Sequence, residues 1–387
     1  MKKIILTGLL LLSFTALLAA DNTEFRATWV ITWNIYIGHQ PVETLKARIR
    51  KILDDHQKAN MNAVLWQVRQ GGTAYYNSSF EPWGPYLDNQ DPGFDPLAFA
   101  IEEAHSRGME LHAWFNAFNV SSSTPDAAVY KHPEWVCRNS SGQSMSSDRC
   151  FSPGLAAVRD YTVAVAMELV RNYDIDGLHL DYVRWNEYSG AASLHKESDR
   201  PRLDGMISQE EIELLNANMA SRFLYDVDHP YNAGVPAGFS AWEEWWRWSV
   251  TEFVRTLHDS VQAAKPWVRL SAAALGNYNW GGWQGYGSVF QDAALWFNQG
   301  YVDQLTPMHY HWTTGAGFYG MLTGTSASWG PWIQQGIAAG RLFSVGPPSY
   351  ILSEDKIMDR HASIVDYCRM VPWVDGFQFF SYGTWES

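Results

Sequence analysis

Residues 176–185 read Asp176-Gly177-Leu178-His179-Leu180-Asp181-Tyr182-Val183-Arg184-Trp185. The apolar core of this stretch is too short for a helix and ends in a charged and aromatic cluster. Side chains two apart on a strand share a face, so Gly177, His179 and Asp181 point one way and Leu178 and Leu180 the other. A strand that is apolar on one face and ends its other face in a carboxylate is how a barrel strand presents a catalytic group at its C-terminal mouth.

Working outward, seven more runs rich in Val, Ile, Leu and Phe fall at 25–31, 63–68, 110–115, 268–274, 302–308, 341–345 and 376–381. Helical patterns separate them at 42–58, 96–106, 154–172, 242–264, 288–298, 330–339 and 353–370. Strands alternating with helices imply parallel strands joined by crossovers. Eight of them predict an α/β fold of the (β/α)8 TIM-barrel type rather than an open doubly wound sheet. The loop after the first run, Trp33-Asn34-Ile35-Tyr36-Ile37-Gly38-His39, lacks the glycine fingerprint that an open dinucleotide-binding sheet would carry there.

The long irregular stretches, 116–153, 185–239, 276–287 and 310–329, nearly all follow strands, whereas loops that precede strands, such as 59–62 and 106–108, are short. In a barrel this asymmetry concentrates function at the C-terminal face. Residues 186–240 are set apart as a candidate capping insertion. Only six residues follow the eighth run, too few for an eighth helix, so either the sequence is truncated or another element covers that flank.

The N-terminus bounds the protein's location. Met1-Lys2-Lys3, an apolar run to Leu18 and Ala19-Ala20 before Asp21 have the order of a secretory signal peptide over 1–20, with Leu18 standing where a small residue is usual. The run is shorter than the roughly 20 residues of a spanning helix. The chain from 21 to 387 is therefore expected to be exported, periplasmic or extracellular, with no stable membrane insertion after cleavage.

A net charge of −13 disfavours nucleic acid as a partner. Three cysteines allow at most one disulfide, for which Cys137 and Cys150 bracket a Ser-rich loop, while Cys368 in a helical pattern is expected to be a buried thiol. Aromatic residues make up 15% of the chain, with 20 Trp, a content suited to a carbohydrate groove because indole faces stack on the apolar faces of sugar rings.

Tyr182 and Arg184 flank Asp181 and are expected to hold its orientation and favour its ionised form. That environment suits a nucleophile or a charge opposing an oxocarbenium-like transition state. His179, one layer deeper, is expected to be a hydrogen-bonded support for Asp181. Other polar groups at strand ends are candidates for substrate binding: Gln67 and Arg69 after the second strand, His112, Trp114 and Asn116 along the third, and His309, Tyr310 and His311 after the sixth.

Glycoside hydrolysis usually needs two carboxyl groups, roughly 5 Å apart for retention and about 6.5 to 9.5 Å for inversion. The turn after the seventh strand, Val345-Gly346-Pro347-Pro348-Ser349-Tyr350, offers none. Asp292 is the first choice for the second, with Glu187, Glu243 and Glu244 in reserve, although Asp292 reads equally well as a charge at a helix N-terminus.

The chain resembles the glycosyl hydrolase-like 10 family of bacterial exported or envelope barrels over about residues 25–385. The likeness rests on Arg26-Ala27-Thr28-Trp29-Val30, Asn62-Ala63-Val64-Leu65-Trp66-Gln67-Val68-Arg69 with Ala74-Tyr75-Tyr76, Leu111-His112-Ala113-Trp114-Phe115-Asn116, the 176–184 segment, Gln291-Asp292 with Gly300-Tyr301-Val302-Asp303 and Pro307-Met308-His309-Tyr310, and Phe379-Phe380-Ser381-Tyr382. It implies a glycosidase acting on glycan strands, in some members peptidoglycan stripped of its stem peptides, with Asp181 in the site and Asp292 as its partner.

The expected substrate is thus a polysaccharide or oligosaccharide, with no cofactor and no metal. Two other readings remain open: a non-catalytic carbohydrate-binding barrel, and a metal-dependent polysaccharide deacetylase drawing on His179, Asp181, His309 and His311.

Overall fold

The computed structural model describes residues 24–185, 222–281 and 283–386. The signal peptide expected at 1–20, the reserve carboxylate Glu187 and most of the insertion expected at 186–240 lie outside the described residues. Among the described residues nine strands occur in the order β1 (Phe25–Val30), β2 (Ala63–Gln70), β3 (Thr73–Ala74), β4 (Glu110–Asn116), β5 (Gly177–Asp181), β6 (Arg269–Ala272), β7 (Gln304–Leu305), β8 (Leu342–Val345) and β9 (Gly376–Phe379). All eight expected runs form strands; β3 is a short antiparallel addition to the end of β2. The other eight pair in parallel around a ring that β1 closes by pairing with both β2 and β9.

Helices fill the outer layer: α1 (Val42–Lys58), α2 (Pro96–His105), α3 (Ala156–Asn172), α4 (Trp242–Ala264), α5 (Ala293–Gln299), α6 (Gly315–Thr323), α7 (Gln334–Ala338), α8 (Ser349–Glu354), α9 (Arg360–Arg369) and α10 (Tyr382–Trp385). α1 buries Leu45, Ile49, Ile52, Leu53 and His56, one face at helical spacing. α2 starts where Asp95 accepts from the Leu97 and Ala98 N–H groups with Pro96 at the first helical position. The single helix expected over 353–370 is two, α8 and α9. They are separated at Lys356, whose φ of 58° is left-handed.

The flank left open by the sequence is covered by α10. Its Tyr382 stacks on His56 and donates to Asp55, Trp385 packs on His361 and Phe379, and Glu386 pairs with Arg48.

The barrel interior is divided chemically. Phe25, Ala27, Trp29, Leu65 and Trp114 form an apolar half, whereas His179, Ser271, Gln304, Ser344 and Gln378 line a buried polar half. Gly177 is required where it stands: a Cβ there would meet His112 Nδ1, its neighbour across the β4–β5 register, at 2.1 Å.

The expected Cys137–Cys150 bridge is absent. The two backbones pair instead, Cys137 N–H donating to the Cys150 carbonyl at 2.9 Å, and the Cys150 thiol donates to the Asp148 carbonyl. Backbone pairing, including Arg138 with Tyr225, fixes the loop that the disulfide was expected to pin. Cys368 is a buried thiol, as expected, and burial pushes it up to about 12. Among the described residues no helix is long and apolar enough to cross a membrane.

Candidate active site

Asp181 is the last residue of β5, and the chain turns sharply after it: Tyr182 takes a left-handed φ of 48°. Such strain in a non-glycine residue persists only where the surroundings enforce it. Here it brings the Tyr182 N–H back onto Asp181 Oδ1 at 2.7 Å. Arg184 Nη1 reaches the same oxygen at 3.4 Å, with its guanidinium held 4.5 Å over the Tyr182 ring. Trp114 Nε1 donates to the other oxygen, Oδ2, at 3.2 Å. The side chain is 8% exposed, so Asp181 is a nearly buried carboxylate oriented by donors on both oxygens. Tyr182 and Arg184 thus hold it as the sequence suggests.

Tyr310, at the end of the β7 segment, faces this group. Burial, with the charge of Asp181 next in importance, pushes its phenol well above the usual range, so it stays a proton donor. Phe380 packs between Tyr310, Tyr350, Trp29 and Trp114 and forms an aromatic wall at the mouth. On the other side Gln67 accepts from the Thr32 N–H and hydroxyl and donates to Asn116 Oδ1. Gln67, Trp114, Asn116, Asp181, Arg184 and Tyr310 therefore belong to one neighbourhood.

Arg69 does not reach that mouth. Its guanidinium is fully buried, forked onto Glu81 at 2.6 and 2.8 Å, and donates to the Asn116 and Ala117 carbonyls. With all three guanidinium nitrogens engaged by the protein, it ties β2 to the loop after β4 rather than presenting itself to a sugar.

His179 is likewise a support, but not for Asp181. Nε2 accepts from Trp29 Nε1 at 2.9 Å and Nδ1 meets Ser271 Oγ at 2.9 Å. This arrangement is that of a neutral imidazole bridging β1 and β6, and burial lowers its pKa to about 3. Both nitrogens are thereby engaged, and His309 Nδ1 accepts from the Gly346 N–H. The donor set of the deacetylase reading is not assembled: among the described residues no three His, Cys, Asp or Glu are grouped to hold a metal.

Asp292 caps α5, accepting from the Leu295 N–H, and receives the Tyr278 hydroxyl at 2.7 Å. Burial raises its pKa, the direction an acid needs. Its carboxyl is nevertheless directed into the first turn of an outer helix, and the link to β5 passes through Gln291, which donates to the Val183 carbonyl. Glu244 accepts from Ser240 at the start of α4, with Glu243 beside it, and both side chains are exposed.

The sequence reading missed the roles of Trp29 and Phe380. Each stood in a quoted segment, but only the register of the closed sheet shows that β1 and β9 place them beside Trp114.

A model described as glycosyl hydrolase-like 10 matches residues 24–334. The chain is 29% identical over 323 residues to glycosyl hydrolase YngK of Bacillus subtilis, covering 77% of this chain and 56% of that protein. It is 27% identical over 309 residues to glycosyl hydrolase DigH of Escherichia coli, covering 74% and 64%. The chain thus spans less than two thirds of the length of these relatives. In structure it is similar to the glycoside hydrolase domain of PgaB (BpsB) from Bordetella bronchiseptica, with a TM-score of 0.52 at 13% identity over 92% of this chain and 94% of that one. It is also similar to α-L-fucosidase isoenzyme 2 from Paenibacillus thiaminolyticus, with a TM-score of 0.51 at 14% identity over 94% and 48%. At these identities both share the fold.

Proposed function

The chain belongs to the glycosyl hydrolase-like 10 family, and we propose that it hydrolyses an O-glycosidic bond in a polysaccharide, with Asp181 as the carboxylate on which catalysis turns. The observation that carries this reading is the hold on Asp181: a nearly buried carboxylate with donors on both oxygens at the mouth of a barrel. A carboxylate fixed in this way opposes the positive charge that develops as the glycosidic bond breaks, and its geometry is in place before substrate arrives. The Tyr310 hydroxyl adds a donor for the sugar or for Asp181, and Phe380 adds an apolar wall.

Peptide-free glycan strands of peptidoglycan are the first substrate class, and the leader-like N-terminus would bring the protein to them outside the cytoplasm. Their N-acetylated sugars also suit the site. An acetamido oxygen can act as the internal nucleophile, and Asp181 then suffices as the single protein carboxyl, protonating the leaving oxygen as the bond breaks. Where the sugar lacks that group, Asp292 with its raised pKa is the candidate acid.

One observation favours a second reading, a carbohydrate-binding barrel without turnover. Asp292, the expected partner carboxyl, is hydrogen-bonded as a helix cap. Release of new reducing ends from a panel of bacterial and plant glycans decides between the two. Turnover by the wild type and none by Asp181→Asn supports a glycosidase; binding without products from any glycan supports the second reading.

A further inference from the structure

An open cleft of about 510 Å³ adjoins the site, formed by the turns after β1, β8 and β9. Its inner wall is Phe380, whose ring lies 6.5 Å from that of Trp114, the donor to Asp181. The cleft therefore begins one side chain away from the candidate catalytic carboxylate. At its outer edge stands Trp33, carried on a single helical turn, Thr32–Ile35. Trp33 is 46% exposed, with its ring propped against Tyr86 at 5.8 Å. A half-exposed indole held on edge by a second ring offers a flat face to an incoming sugar.

The cleft carries one formal charge. Glu354, at the end of α8, lines it, and no Lys, Arg or His does. Among the described residues the Glu354 side chain makes no hydrogen bond or ion pair, in contrast to Glu386, which is paired with Arg48 nearby. A lone carboxylate beside aromatic walls accepts hydrogen bonds from hydroxyl, amide or ammonium groups and repels a second carboxylate.

Resting on the glycosidase reading above, we propose that this cleft is a sugar subsite next to the cleavage point, with Trp33 as its platform and Glu354 as its selectivity residue. It admits a sugar ring without a carboxylate and rejects an acidic one. On a strand alternating neutral and carboxylate-bearing sugars, this sets the register: the neutral unit enters the cleft, and one of the two linkages is cut.

The test uses the full chain and peptide-free peptidoglycan glycan strands, whose muramic units carry carboxylates, in native form and with those carboxylates neutralised by amidation. Binding is measured by calorimetry with Asp181→Asn, alone and combined with Glu354→Gln or Trp33→Ala. Product ends are identified with the otherwise wild-type chain and with Glu354→Gln.

Amidation opens the second register, so amidated strands are expected to give both kinds of product end with the otherwise wild-type chain, and to bind Asp181→Asn no more than about twofold tighter than native ones. Trp33→Ala weakens both by at least about fivefold. Products from native strands carry one kind of end with the wild type and both kinds with Glu354→Gln.

The same mixture of ends from native and amidated strands, or unchanged binding with Trp33→Ala, overturns the subsite. If no glycan is cleaved but Trp33→Ala weakens binding, the glycosidase reading fails and the subsite stands.

Discussion

Trp114 lies in register with His179, one layer below Asp181, yet its indole Nε1 reaches up to Asp181 Oδ2 at 3.2 Å. The candidate catalytic carboxylate is thus oriented from the neighbouring strand, not only from its own. Replacing Asp181 by Asn should lower kcat on a cleaved glycan by on the order of 10³- to 10⁴-fold, the scale seen when one member of a catalytic unit is removed. Trp114→Phe keeps most of the ring and deletes the donor. A hydrogen bond to a charged group contributes about 1.5–3 kcal/mol, so kcat should fall about tenfold or more with KM little changed. An unchanged kcat for Trp114→Phe would show that the bond plays no part in catalysis.

Asp292→Asn separates the two roles of that residue. Asn caps a helix as well as Asp, so thermal unfolding should move little. On an N-acetylated glycan we expect turnover within about tenfold of the wild type, because the acetamido oxygen is the nucleophile and Asp181 is left to act as the acid. A loss as large as that of Asp181→Asn would instead make Asp292 the essential acid.

Removing Arg69 should damage the fold before it damages binding. Arg69→Met leaves Glu81 buried without its counter-ion, a change that costs about 3–5 kcal/mol in comparable pairs. Urea unfolding should show the loss, and the folded fraction should keep its KM. A raised KM at undiminished stability would return Arg69 to the substrate.

Stability should fall in mild acid. Burial lowers His179 and His309 to about 3 in the folded protein, while an exposed His titrates near 6.5. Between these values the unfolded chain binds more protons, so their contribution is fully present above about pH 6.5 and is lost as pH falls toward about 3. Each group adds up to about 1.4 kcal/mol per pH unit to the slope within that window. Glu110, held at about 2 with His112 and Arg269 as partners, adds a loss below about pH 4.5. Urea midpoints from pH 7 to 4 test this, and His179→Gln, which can still accept from Trp29, should flatten the slope.

Periodicity alone determined the barrel and the position of Asp181. Side chains alternate along a strand whatever surrounds it, so period two in 177–181 puts Asp181 on the inward face, and eight such runs separated by helical patterns leave few other folds. Tyr182 and Arg184 were legible as its holders because they are neighbours in sequence. Long-range partners were not. Whether Arg69 faces a sugar or Glu81, whether His179 bonds Asp181 or bridges Trp29 and Ser271, and whether Cys137 pairs through its sulfur or its backbone all depend on residues that are not neighbours in the chain. The cleft depends on three separate turns meeting at one edge of the mouth. Closure of the sheet, with β1 joined to both β2 and β9, decided these contacts, because only the register of a closed ring fixes which inward-facing side chains share a layer.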